Sequence, residues 1–125
     1  NSIGKFDRVT FTIKKNDTSY KIYQVGGDIT PMKIQDCHNL KKEIDKEIVQ
    51  MFENNIERQV TDFKTNIDKT GKSIFYTIKY IFESADLIVL QCKDYSEEFG
   101  GDDALLLDIA SEEFNNWLAT EIYKY

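Results

Sequence analysis

The residues best suited to chemistry fall into three groups. Cys37 and His38 are neighbours, and Cys92 is the only other thiol. A Cys–His nucleophile requires the thiol and the imidazole to converge. Adjacent residues at the start of a helix point about 100° apart, so direct pairing is not expected. A structural zinc site takes about four ligands, and these three residues fall short. Two cysteines allow one bridge, but the favoured expectation is two free thiols and an ordinary histidine, hence a reducing compartment.

The second group lies in "DLIVLQCK", where Asp86, Gln91 and Lys93 have the order of some divalent-metal nuclease centres. Gln91 stands where a carboxylate would hold the metal, and Asp86 is expected in the preceding turn, so no nuclease centre is assigned. The third group is "DYSEEFGGDDALLLDIASEEF", Asp94 to Phe114, with eight carboxylates and no Lys or Arg. An EF-hand loop begun at Asp94 would want Gly and Glu where Phe99 and Leu105 stand. No glycine-rich phosphate cradle is present, since "VGG" and "FGG" lack the flanking residues. No catalytic residue, metal or cofactor is therefore expected.

The charge is uneven. Residues 1–93 carry 15 basic and 13 acidic residues, whereas residues 94–125 carry one Lys and nine acids, so the formal −6 arises in the last quarter. Such asymmetry bears on partners and association rather than on fold. Direct binding of nucleic acid through the acidic last quarter is disfavoured because its carboxylates would repel the phosphates. A membrane span is disfavoured too: no apolar run exceeds the four residues of "LIVL", far short of the ~20 residues that span a bilayer. No signal peptide is visible, and a first residue of Asn is consistent with trimming. Cytoplasmic localisation is the expectation.

The elements that must position these residues are read from periodicity. A chain of 125 residues is expected to form a single domain, residues 1–125, able to bury its own core. "FDRVTFTIKK" and "YKIYQV" alternate as strands of a hairpin around "KNDTS", with "VGGD" ending the second. Leu40, Ile44, Ile48 and Phe52 mark an amphipathic helix with Asp36 as N-cap and "ENN" as its end. A weaker strand over about 57–66, the strongly alternating "SIFYTIKYIFE" and the doubly apolar "LIVLQCK" form a three-stranded meander. Asp102 and Asp103 then read as the cap of a second helix. Leu106, Ala110, Phe114 and Trp117 would rest on the sheet, with Asp108 and Glu112 facing water. The predicted fold is α+β: an antiparallel sheet (hairpin plus three-stranded meander) with two helices, in the order ββ-α-βββ-α.

Residues 37–124, in element order alone, resemble double-stranded RNA-binding domains. Those domains place a Lys cluster at the start of their final helix, where this chain reads "GGDDALLLD". Carboxylates repel phosphates, so that function is rejected.

In "DYSEEF", Tyr95 and Phe99 interleave with Asp94, Glu97 and Glu98, the make-up of an interface patch. With the acid-aromatic run from Asp94 to Glu112, the chain resembles the small acidic immunity proteins that bacteria make against secreted or contact-delivered toxins. The resemblance implies a non-catalytic chain that neutralises a cognate toxin, a basic nuclease, through Asp94, Tyr95, Glu97, Glu98, Phe99, Asp102, Asp103, Asp108 and Glu112. Two alternatives stand beside it. One is a nucleic-acid mimic that inhibits a DNA-binding protein. The other is a small enzyme or ligand-binding domain with a pocket the sequence does not reveal.

Overall fold

A computed structural model describes residues 7–13 and 22–111. Six strands and one long helix are present among them: β1 (Arg8–Ile13), β2 (Ile22–Ile29), α1 (Ile34–Phe52), β3 (Ile56–Lys64), β4 (Ile74–Phe82), β5 (Leu87–Asp94) and β6 (Ala104–Ala110). All neighbouring strands are antiparallel, in the spatial order β1-β2-β6-β5-β4-β3. The α+β class, the β1–β2 pair and the β3–β5 meander agree with the sequence reading. The "KNDTS" turn lies outside the described residues.

Three expectations about elements are corrected. The second helix does not form over its predicted start. Residues 104–110 are instead β6, which fills the gap between the hairpin and the meander. Its register sets Leu105 against Ile29 and Cys92, and Leu107 against Gly27 and Leu90. Apart from Asp108, "ALLLDIA" is apolar on both faces, as suits an interior strand, and a short apolar run does not by periodicity alone separate strand from helix. Phe114, Trp117 and the rest of that predicted helix lie outside the described residues. Next, "VGGD" does not end β2: Gly26 and Gly27 stay in register opposite Asp108 and Leu107. Lastly, α1 starts at Ile34 with no side-chain cap, which leaves Asp36 in the first turn. There its charge still suits the positive end of the helix dipole. The helix ends where Glu53 takes a left-handed backbone conformation (φ 43°) and returns its N–H to the Val49 carbonyl.

The core lies between α1 and one face of the sheet. Cys37, Leu40, Ile44 and Ile48, buried one turn apart, meet Ile78 and Tyr80 of β4, Ile88, Leu90 and Cys92 of β5, and Leu105 of β6. The crossing brings Cys37 and Cys92 into a disulfide, with Cα atoms 6.0 Å apart. The expectation of free thiols is therefore wrong: the pair is 55 residues apart in sequence, and only helix-on-sheet packing brings it together. The inference of a reducing compartment loses its premise. No helix among the described residues is long and apolar enough to cross a membrane. The opposite sheet face is more polar, with Thr77 and Gln91 buried and joined by a 2.8 Å bond from the Gln91 amide to the Thr77 hydroxyl.

Candidate partner-binding loop

Residues 95–103 connect β5 to β6 at one end of the sheet and hold most of the predicted site. The loop is fixed from below by one buried carboxylate. Asp68, in the β3–β4 connection, accepts from the Thr70 N–H (2.9 Å) and Thr70 hydroxyl (2.7 Å) through Oδ1. Through Oδ2 it accepts from the Ser73 N–H (3.2 Å), the Ser73 hydroxyl and the Ser96 hydroxyl (2.7 Å). The Ser73 hydroxyl oxygen in turn accepts from the Ser96 N–H at 2.8 Å. These bonds to the ionised form, led by that of Ser73, hold the Asp68 carboxyl well below the usual carboxylate range.

The loop then turns on itself. The Gly100 N–H donates to the Ser96 carbonyl at 3.1 Å, and Gly100 has a left-handed backbone (φ 78°) that favours glycine. A Cβ on Gly101 would stand 3.1 Å from the Tyr95 ring and 3.2 Å from the Phe99 ring. The missing side chain thus lets those rings stack over it, with centroids 5.2 Å apart. The stack continues inward as Tyr95 meets buried Phe75, and Phe75 meets Phe63 of β3. Lys93 lies 5.4 Å over the Phe75 ring. Both ends of this aromatic row are open to solvent, Phe99 at 41% and Phe63 at 42% exposure.

The predicted site residues divide by what they do here. Glu97, Phe99 and Asp102 are exposed, and Tyr95 is half-buried beneath Phe99. Glu98 is exposed but forms an ion pair with Lys72. Asp103 points inward: its Oδ1 accepts from the Tyr95 N–H at 2.8 Å, and its carbonyl accepts from the Met32 N–H at 2.9 Å. Asp94 is part-buried at the end of β5, and burial followed by the nearby Asp103 charge raises its carboxyl. Asp108 does not join the loop. It accepts from the Gln24 amide at 2.5 Å, on the face of β6 opposite the core-facing Leu105 and Leu107. Burial raises its carboxyl, while the Gln24 bond partly offsets the rise. Glu112 lies outside the described residues.

An open groove of about 460 Å³ runs beside the loop, between Pro31, Met32 and Lys33 on one wall and Tyr95, Glu97 and Asp102 on the other. The other candidates do not assemble. Among the described residues no group of three or more His, Cys, Asp or Glu could hold a metal ion. His38 sets its ring edge-on to Tyr76 at 4.7 Å, and its neighbour Cys37 is in the disulfide. Gln91 is bonded to Thr77, while Asp86 accepts from Ser84 in the turn before β5.

Sequence reading missed the Asp68 brace, although "DKTG" carries its signal. An Asp two residues before a Thr suits a local carboxylate turn. What the sequence does not announce is the reach of that carboxylate to Ser96. Comparison with protein-family models, with curated proteins and with solved structures finds no match for the chain.

Proposed function

We propose that this chain is a non-catalytic binding domain that engages a basic protein through the 95–103 loop, in the manner of an immunity protein neutralising a cognate toxin nuclease. The carrying observation is the preorganised loop: Ser96 is tied to buried Asp68, and an exposed ring at Phe99 stands between Glu97 and Asp102. A fixed aromatic anchor loses little conformational freedom on binding. The surrounding carboxylates speed encounter with a cationic surface, and the ring slows release. The contact set is narrower than the sequence suggested: Tyr95, Glu97, Phe99 and Asp102, with Glu98 at the rim. A nucleic-acid mimic would space its acids along a duplex-length stripe, whereas Asp108 is turned away from the loop acids. The Cys37–Cys92 disulfide favours a compartment in which thiols oxidise.

The test begins with proteins retained by the immobilised chain from its native source. A retained basic protein is expressed, and its nuclease activity and Kd are measured against the wild type, E97K/D102K and Phe99→Ala. Inhibition by the wild type, with binding weakened at least tenfold by the charge reversal and by loss of the ring, is expected. Retention that ignores both changes would refute the loop as the contact.

A further inference from the structure

We propose that β3 is a self-pairing edge through which two copies of this chain join their sheets, Val60 against Val60 across a two-fold axis. Strand β3 closes one side of the sheet, and among the described strands it pairs only with β4. It runs nine residues without Gly or Pro, and every residue after Ile56 is exposed. Long regular edges normally carry a device against further pairing, such as a proline, a bulge or charged side chains; β3 has no proline, and its charges, Glu57, Arg58, Asp62 and Lys64, oppose self-pairing only in registers that set like against like. The β3–β4 register has no shift anywhere along it.

The direction of the backbone groups is fixed by the ladder. The Thr65 N–H donates to the Ser73 carbonyl, one step beyond the pairing of Lys64 with Ile74. Odd-numbered residues of β3 therefore bond β4, and the N–H and C=O groups of Ile56, Arg58, Val60, Asp62 and Lys64 face outward. These outward groups choose the register. With Val60 opposite its own copy, Arg58 falls opposite Asp62 twice, Gln59 opposite Thr61, and Ile56 opposite Lys64. All nine residues then pair and no like charges oppose. Centring on Asp62 or on Arg58 instead sets two like charges face to face. A shift to Val60 opposite Asp62 sets Arg58 against Lys64, and a shift to Arg58 opposite Val60 forms no ion pair and shortens the overlap. Opposite-charge cross-strand pairs stabilise a sheet and like pairs destabilise it, so the sequence of β3 is complementary to itself in one register.

The side chains agree with that reading. Val60 is 56% exposed and would be covered by its own copy. Arg58 presents Nε and Nη2 to Asp45 at 2.9 and 2.7 Å while its side chain stays 40% exposed. An Asp62 from the second copy would add a carboxylate on its open side, extending an Asp–Arg–Asp row across the joint. Because the pairing is antiparallel, the Lys64 end of one copy meets the Ile56 end of the other, and the two 95–103 loops lie at opposite ends of the joined sheet.

The experiment is sedimentation equilibrium of the full chain with its disulfide intact, from 1 to 500 µM. The wild type is expected to sediment as a dimer in the upper part of that range. Val60→Lys, which sets a lysine against its own copy at an exposed position, and Asp62→Lys, which sets one against Arg58, should each weaken association at least tenfold, with unchanged circular dichroism and with unchanged Tm at concentrations low enough that every form is monomeric. Thr61→Lys, on the opposite side of the strand and across from Gln59, should weaken it less. A wild type that stays monomeric throughout, or a dimer indifferent to Val60→Lys, overturns the proposal.

Discussion

Two carboxylates show how environment divides residues of the same type. Asp68 receives five hydrogen bonds, and these stabilise its charged form. Its folded pKa is depressed, so its stabilising effect is present above the unfolded carboxylate range of about 3.9 and is lost as pH falls through the folded value. Asp68→Asn should lower Tm at neutral pH and reduce the acid-side slope of stability; a pH series of thermal melts reads both. Asp108 behaves oppositely. Its folded pKa is raised, chiefly by burial, so stability declines as pH rises through the carboxylate range toward the folded value. Asp108→Asn keeps an acceptor for the Gln24 amide and removes the part-buried charge. It should be neutral or stabilising by about 1 kcal/mol at pH 7, and a large loss in chemical denaturation would show that the charge itself is needed.

Among the elements, α1 and β6 determine how the others are held. Helix α1 is fixed to the sheet twice: by the Cys37–Cys92 disulfide, and by Asp45, which joins Tyr80 of β4 to Arg58 of β3. Burial would raise the Asp45 carboxyl, but the hydrogen bonds from Arg58 and Tyr80 outweigh it and hold it low. The disulfide closes a long segment, 55 residues by sequence separation. Loop-closure entropy for a segment of that length gives about 4 kcal/mol. Reduction, or a Cys37→Ser/Cys92→Ser double variant, should lower stability by roughly 2–5 kcal/mol in denaturant titration. A midpoint unmoved by dithiothreitol would mean the link contributes nothing. Such a loss should fall on α1 first, read as faster amide exchange at Leu40 and Ile44.

Charge acts on the whole molecule. A net −6 with its excess in the last quarter of the chain gives a long-range field that salt screens over about 10 Å at 0.1 M. If the 95–103 loop meets a basic partner, the association rate should fall about tenfold between 20 and 200 mM salt, with the dissociation rate little changed. Stopped-flow mixing reads both rates, and E97K/D102K should flatten the dependence. An association rate independent of salt would remove electrostatic steering from the account. Edge pairing at β3 would double the number of loops per particle without bringing them to one side, and so permit engagement of two separate partners.

The sequence by itself determined the alternating strands of the meander, the four-residue spacing that buries Leu40, Ile44 and Ile48, and the crowding of acids and rings between Asp94 and Asp103. Those features follow from local periodicity and composition, which a single segment carries. Tertiary structure alone decided that "ALLLDIA" is a central strand, because pairing on both sides satisfies a backbone that a capped helix would have satisfied equally well. It alone joined Cys37 to Cys92, turned Asp103 and Asp108 away from solvent, and brought Asp68 beneath Ser96. Each of these depends on contacts between residues far apart in the chain, and no short-range pattern encodes which distant partner a side chain will meet.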